Sequence, residues 1–157
     1  MRKKENGLKS RCGKCTECCT LLDVPGTTSA WEKCRYANKH GTSCRIYSNR
    51  PKACRNFNCL WLLNGLAPEL RPDKCGVVFQ LYTEDKTVVA TDEGKWNRSG
   101  PSRLLIAQML KDGYVVWLVT RTGKHLLLPQ GITEKEAREK TARAWNRIWQ
   151  HQVTAKI

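Results

Sequence analysis

The sequence lacks any run of apolar residues long enough to cross a membrane. No stretch approaches the roughly 18–20 consecutive apolar residues that a spanning helix needs. The first segment, residues 1–11, is basic and leads into cysteines rather than into the apolar core of a secretory signal. We therefore expect a cytoplasmic protein with no membrane partner, in a compartment where disulfides rarely persist.

Familiar catalytic signatures are missing too. The chain has no HExxH motif, no glycine-rich phosphate loop and no constellation of Ser, His and Asp. An enzyme is therefore the less favoured class. Acidic residues are scarce, at 14 against 28 Lys and Arg, so the formal net charge is +14. That excess favours an anionic partner, either nucleic acid or an acidic protein.

Cysteine, by contrast, is abundant and clustered. Eight of the nine cysteines lie between residues 12 and 59, and the odd total argues against a disulfide framework. The segment opens as CGKCTECC, with two successive Cys-x-x-Cys steps, each of which lets two thiolates reach one metal ion. We predict a metal site built from dispersed cysteines. The eight are Cys12, Cys15, Cys18, Cys19, Cys34, Cys44, Cys54 and Cys59.

The thiol pattern admits more than one metal. Eight thiolates suit two four-cysteine zinc sites, one shared polynuclear zinc site, or a four-cysteine iron–sulfur cluster with four other thiols nearby. The spacing of the first three cysteines resembles a ferredoxin motif, but the fourth step is missing. Adjacent Cys18 and Cys19 seldom bind one ion together, so they serve two metals or one of them bridges. We expect zinc, with a [4Fe-4S] cluster as the alternative.

Composition divides the chain into three segments. A basic arm covers residues 1–11, a cysteine-cluster module covers residues 12–65, and an α+β unit covers residues 66–157. Because no flexible linker separates the last two, we expect them to share a core. Apolar alternation and turn signals predict a β-β-α-β-β-α unit with an antiparallel sheet. The predicted strands are 76–82, 87–91, 114–120 and 124–129.

Three helices are expected from local signals. Pro51 opens a helix that continues through Leu63, which places Cys54 and Cys59 about 140° apart around its axis. A second helix follows residue 99 and ends at Gly113, with one apolar face. Its members are Leu104, Leu105, Ala107 and Leu110. A capping box at residues 133–136 opens the last helix, from 134 to about 150, whose apolar face includes Ala137, Thr141, Ala144, Trp145, Ile148 and Trp149.

Several side chains near the thiols have two interpretations. Arg50 and Arg55 either offset thiolate charge or make ordinary contacts at helix ends. His40 lies between two cysteines, and we expect an exposed loop residue rather than a ligand. Trp31 and Trp61 are expected to shield sulfur from water.

The cysteine pattern resembles a known family. The match rests on CxxCxxCC at residues 12–19, on Cys34, and on CRIYSNRPKACRNFNC at residues 44–59. In these features the chain is similar to the YkgJ-type CxxCxxCC cysteine-cluster family, described as a zinc- or iron-chelating domain, over about the first 60–75 residues. The resemblance implies that the eight clustered cysteines bind metal and that Cys75 does not. The family includes a flagellin lysine N-methylase, but this chain shows no segment suited to a methyl donor.

Together these features predict a cytoplasmic metal-binding protein. It holds zinc or an iron–sulfur cluster through eight cysteines and is structural or metal-carrying. One alternative is a basic nucleic-acid-binding module that the metal site stabilises. A second alternative is an iron–sulfur redox or methyl-transfer-related enzyme component.

Overall fold

The computed structural model describes residues 12–64, 66–94, 96 and 100–148, with the backbone alone for residues 64 and 143–148. The predicted basic arm lies outside these residues, as does Trp149, and nothing is described of the side chains of Ala144, Trp145 and Ile148. Within the described part, the chain is a mixed α+β protein with a four-stranded mixed sheet and six α-helices. None of the helices in this part is both long enough and apolar enough to cross a membrane.

The regular elements concentrate in the second half of the chain. The strands are β1 (Val77–Tyr82), β2 (Thr87–Asp92), β3 (Val115–Thr120) and β4 (Gly123–Leu127). The helices are α1 (Cys18–Leu21), α2 (Lys52–Asn56), α3 (Leu60–Asn64), α4 (Pro72–Cys75), α5 (Gly100–Lys111) and α6 (Glu134–Ile148). Two 3₁₀ helices cover Tyr47–Asn49 and Pro68–Leu70.

The sheet is mixed, so the prediction of an antiparallel sheet is wrong at its centre. The strands are ordered β1-β2-β3-β4, with antiparallel pairs at both edges. The central pair, β2 and β3, is parallel. The physical reason is α5, which lies between these two strands in sequence and carries the chain back to the end of the sheet where β2 begins. A helix in that position makes a crossover connection rather than a hairpin.

Both faces of the sheet are covered. On one face, Ile106 and Met109 of α5 pack with Leu60, Cys75 and the inward side chains of β1, β2 and β3. On the other face, Ala137 of α6 packs on β2 and β3. All six residues of β2 are buried, and β3 reads VVWLV without alternation. Continuous apolar runs of this kind are typical of strands that are buried on both sides.

The apolar face predicted for α5 is wrong in part. The side chains that the helix buries are Ser102, Ile106 and Met109, spaced four and three residues apart on one stripe. Leu105 and Leu110 flank this stripe and are half-buried, whereas Leu104 is 74% exposed and Ala107, also predicted on the apolar face, is exposed too. Leu104 lies two residues after Ser102, about 200° around the helix axis, and therefore faces away from the buried stripe.

The start of α6 is formed as its sequence predicts. The Thr133 N–H donates to Glu136 Oε2 (2.8 Å), and the Glu136 N–H donates to Thr133 Oγ1 (3.3 Å). These reciprocal bonds satisfy two backbone donors that the helix cannot satisfy itself. Ala137 and Thr141 are buried, as predicted, and Thr141 Oγ1 accepts a hydrogen bond from Trp117 Nε1 (2.8 Å).

The helix predicted from Pro51 to Leu63 is broken into two. Helix α2 ends at Asn56, Phe57 is extended (φ −79°, ψ 123°), and α3 begins at Leu60. The predicted angle between Cys54 and Cys59 therefore does not apply, because the two residues no longer share one helix axis. The break allows Cys59 to be positioned independently of Cys54.

Candidate metal centre

One cavity of about 380 Å³ lies in the cysteine-rich half of the chain. All eight of the clustered cysteines line it, from Cys12 to Cys59. Cys75 does not. It is buried in the sheet core, where its Sγ lies 3.5 Å from the carbonyl oxygen of Val77. The structure thus brings together the eight sulfurs that the sequence singles out, and it places the ninth elsewhere.

The first four thiols are held by a tight turn and a single helical turn. The Cys15 N–H donates to the Cys12 carbonyl oxygen (2.9 Å), which closes the first Cys-x-x-Cys step. Helix α1 then presents Cys18 and Cys19 from successive positions, about 100° apart around its axis. Leu21, which ends α1, is fully buried and anchors it.

The next two thiols lie on a loop that folds back on itself. The Cys34 N–H donates to the Cys19 carbonyl oxygen (2.8 Å), which ties the start of the loop to α1. Further along, Cys44 pairs with Ala37 in an isolated antiparallel bridge. The hydroxyl of Thr16 donates to the Gly41 carbonyl oxygen and holds the loop tip against the first turn. The sequence analysis did not identify Thr16 as a residue of the cavity. The only feature of the sequence that points to it is its position between Cys15 and Cys18.

Cys54 and Cys59 arrive from the third segment. Cys54 is on α2, and Cys59 directly precedes α3, where its carbonyl oxygen accepts from the Leu62 N–H (3.0 Å). Cys59 and Leu62 pack with Val78 of β1, so this wall of the cavity is attached to the sheet. The cavity is therefore closed on one side by the α+β unit.

The aromatic side chains divide between the cavity and the sheet. Trp61 lines the cavity, in keeping with the expected shielding of sulfur. Trp31 is not among the described lining residues; it packs against both the module and the sheet. Its Nε1 donates to the Asp92 carbonyl oxygen (3.4 Å), and its own carbonyl oxygen accepts from Arg121 (2.8 Å). Trp31 thus connects the two halves of the chain.

The lining is chemically selective. The ionisable side chains among the described lining residues are cysteines, tyrosines and Arg50. No carboxylate is among them. His40 is exposed and does not line the cavity. Thiol donors without carboxylates suit zinc and iron and do not suit Mg²⁺ or Ca²⁺. The donor set therefore fits both of the metals expected from the sequence.

Burial controls the protonation of most of these thiols. It raises the pKa of Cys12, Cys54 and Cys59, and it raises the pKa of Cys15 to about 12. Such thiols are protonated at neutral pH. Since a metal binds the thiolate, an ion that enters the cavity must displace these protons.

Cys18 and Cys19 behave oppositely because they share a hydrogen bond. That bond, together with burial, raises the pKa of Cys18. The same bond lowers the pKa of Cys19, whose sulfur accepts, and the positive charge of Arg50 lowers it further. Cys19 is therefore the more readily ionised of the two, and both must become thiolates before they can bind a metal.

Arg50 and Arg55 take different roles. The Arg50 guanidinium lies 3.8 Å from the centre of the Tyr47 ring, and its Nε donates to the Tyr47 carbonyl oxygen (2.9 Å). From there its charge opposes the rise that burial gives to the pKa of Cys12 and Cys54. Arg55 is exposed and donates to the Arg50 carbonyl oxygen (2.8 Å). Only the first of the two faces the thiols.

The thiols surround the cavity without meeting at its centre. Among the described residues, no three His, Cys, Asp or Glu side chains already form a group close enough to hold one ion. A zinc ion holds four sulfurs at about 2.3 Å. Binding therefore requires rotation of the cysteine side chains into the cavity, which they already line.

Comparison with protein-family models, with curated proteins and with solved structures finds no match to this chain. Membership of the YkgJ-type family stays a prediction that rests on cysteine spacing.

Proposed function

We propose that this chain is a cytoplasmic metal-binding protein of the YkgJ-type family that binds zinc through eight cysteines, in a structural or metal-carrying role. The observation that carries the proposal is the single cavity that all eight cysteines line. They come from three separate segments, residues 12–19, 34–44 and 54–59, with one arginine and no carboxylate among the described lining residues. A [4Fe-4S] cluster is the alternative occupant.

The scarcity of regular structure around the cavity supports the proposal. Helices α1, α2 and α3 have only four or five residues each. Helices of that length are not stable by themselves, and a small module needs another source of stability. Structural zinc supplies about 10–16 kcal/mol per ion in small domains, where binding energy is folding energy. Thiolate–metal bonds would therefore stabilise a module whose helices are too short to be stable alone.

The test is elemental analysis, with an absorption spectrum, on protein purified without oxygen. We expect about two zinc ions per chain and no visible absorption. A brown protein with about four iron and four sulfide would replace zinc by the cluster alternative. Protein that binds neither metal, even after reduction and reconstitution, would overturn the proposal. Cys75→Ala is the matched control, since it removes a cysteine outside the cavity and should keep the metal content of the wild type.

Nucleic-acid binding stays a prediction. It depended on the basic arm and on the last helix, and residues 1–11 and the side chains beyond Ala142 lie outside what the structure describes. Binding by phosphate contacts weakens steeply as salt is raised. The absence of any binding at low salt would exclude this alternative.

A further inference from the structure

Residues 33–55, which carry three of the cavity's thiols, are also rich in positive charge. This segment has seven Lys or Arg residues and no Asp or Glu, and the next carboxylate along the chain is Glu69. Six of the seven basic side chains are exposed, and Arg50 is half-buried. We call the seven, with Tyr36 and Tyr47, the basic surface. They are Lys33, Arg35, Lys39, Arg45, Arg50, Lys52 and Arg55.

The loop around the isolated antiparallel bridge brings the first four of these charges together. The Arg45 N–H donates to the Tyr36 carbonyl oxygen (2.8 Å), and the Arg45 guanidinium donates to the Arg35 carbonyl oxygen (2.6 Å). Lys33 Nζ donates to the Lys39 carbonyl oxygen near the loop tip (3.1 Å). Residues at both ends of the loop and at its tip are thus held close to one another.

The remaining three charges follow in and just before α2. Arg50 Nε donates to the Tyr47 carbonyl oxygen (2.9 Å), and Arg55 donates to the Arg50 carbonyl oxygen (2.8 Å). These hydrogen bonds, like those in the loop, go to backbone carbonyl oxygens. A carbonyl oxygen carries no net charge, so such a contact orients the side chain without neutralising it.

The cavity does not account for this excess of charge. Thiolates that hold zinc would place negative charge in the cavity, but Arg50 is the only one of the seven among the described lining residues. The other six are exposed to solvent. Clustered positive charge at the surface favours an anionic partner there.

Tyr47 indicates the kind of anion. It is 53% exposed, and the Arg50 guanidinium lies 3.8 Å from the centre of its ring. The Arg35 guanidinium likewise lies 5.8 Å from the centre of the Tyr36 ring, so aromatic rings alternate with positive charges. Proteins bind single-stranded nucleic acid through this combination, with bases stacked on the rings and phosphates on the cations. An acidic peptide would use the charges but has no base to stack.

We propose that the basic surface binds single-stranded nucleic acid, with phosphates on its Lys and Arg side chains and a base stacked on Tyr47. The surface is separate from the basic arm of residues 1–11 and from the last helix, on which the nucleic-acid alternative depended. The inference goes beyond the proposed function and does not depend on which metal the cavity holds.

The test follows the fluorescence anisotropy of an oligothymidylate of about 15 nucleotides, over a series of salt concentrations, with the full chain purified without oxygen. The variant combines Lys39→Gln, Lys52→Gln and Arg55→Gln, none of which lines the cavity, so its metal content should be that of the wild type. Each phosphate contact contributes about 0.7 to the slope of log affinity against log salt. Loss of three contacts should lower the slope by about 2, and the affinity about 100-fold at about 0.1 M salt.

The matched control makes the same change of net charge on the α+β unit. It combines Arg103→Gln, Lys111→Gln and Lys124→Gln, three exposed residues. We expect its affinity to change less than about threefold at about 0.1 M salt, where charges more than about 10 Å from the strand are screened. Equal losses in the two variants, or no binding by the wild type at about 50 mM salt, would overturn the proposal.

Tyr47 separates nucleic acid from an acidic peptide. Tyr47→Ala should lower the affinity about 5-fold to 150-fold, the usual value of one stacked base, and Tyr47→Phe should restore it. Because Tyr47 also lines the cavity, an abasic strand of the same length is the control. Tyr47→Ala should bind that strand as the wild type does, whereas a damaged fold would weaken both. Polyglutamate that competes as well as oligothymidylate, with no effect of Tyr47→Ala, would assign the surface to an acidic protein and overturn the proposal.

Lysine footprinting needs no variant. Brief acetylation of the wild type, with and without the strand, should show protection of Lys33, Lys39 and Lys52. Lys111 and Lys124 should stay reactive. Protection confined to lysines outside residues 33–55 would overturn the proposal. Elemental analysis of the same protein tests metal binding separately, so a chain that holds zinc but does not bind the strand keeps the proposed function and loses this inference.

Discussion

Replacing Arg50 by glutamine should weaken metal binding in the cavity. The guanidinium is the only Arg or Lys group among the described residues that line the cavity. Its positive charge acts on Cys12, Cys19 and Cys54. Two four-thiolate zinc sites would bring about four negative charges together, and Arg50 offsets one of them. The glutamine side chain keeps hydrogen-bonding capacity and removes the charge.

The size of the effect follows from the position of Arg50 next to the ligands. Residues that orient or polarise metal ligands typically contribute a factor of about 10–100 to metal affinity. That factor corresponds to about 1.4–2.7 kcal/mol. Because Arg50 is only partly buried, salt screens its charge, so we expect the difference from the wild type to shrink as ionic strength rises.

The pH dependence has a definite sign. The positive charge of Arg50 lowers the pKa of Cys19 and opposes the rise at Cys12 and Cys54, so its removal raises all three values. Protons then compete with the metal more strongly at any given pH. Acid-induced release of zinc should therefore begin at a higher pH in Arg50→Gln than in the wild type.

The assay is competition for zinc with a chromophoric chelator, at low and high salt and across a pH series. Arg55→Gln is the matched control, because Arg55 contacts the Arg50 backbone and does not line the cavity. We expect less than about a twofold change in that variant, as for most surface substitutions. Equal losses in the two variants, or an Arg50→Gln loss that is independent of salt and pH, would refute the electrostatic role.

Three further predictions concern the fold, and urea denaturation measures each of them. Cys75→Ala should lower the free energy of unfolding by about 1 kcal/mol, because it leaves a small cavity in the sheet core, and it should leave zinc content unchanged. Thr141→Val should cost about 1–3 kcal/mol, since it leaves the buried Trp117 Nε1–H without its acceptor. Thr133→Ala should cost about 1 kcal/mol through loss of the α6 cap. A Thr141→Val variant as stable as the wild type would show that this hydrogen bond does not contribute to stability.

Sequence patterns predicted the strands and the α6 cap well, because these features depend on residues that are close in sequence. The four predicted strands coincide with β1 to β4 to within about two residues, and the α6 cap is formed by the predicted pair. Both features depend on alternation or on contacts four residues apart or fewer. The parallel pairing of β2 and β3 does not, since it depends on where α5 returns the chain. Topology of that kind is set by tertiary packing.

The cysteine-rich half shows the opposite balance. Its secondary structure was predicted poorly, because the Pro51 helix breaks at residues 57–59 and the thiol positions follow turns and single backbone contacts. The eight cysteines that line the cavity are nevertheless the ones that spacing singles out, and their role as metal ligands stays a prediction. The way the cysteine segments are joined needed the structure, since the bond from the Cys34 N–H to the Cys19 carbonyl oxygen links separate segments.

The cysteine-rich module contacts the sheet of the α+β unit, and these contacts explain how the sheet can support the module. Cys59 and Leu62 pack on Val78, which lies in the buried part of β1. Trp31 reaches the same sheet through its hydrogen bond to Asp92. The sheet therefore supplies one wall of the cavity, and Cys59 packs against it. Cys34 and Cys44, by contrast, lie on a loop held by the Cys19 and Ala37 contacts. On the proposed function, the metal must itself order that loop, and so the loop should be the first part of the module to open when zinc is withdrawn.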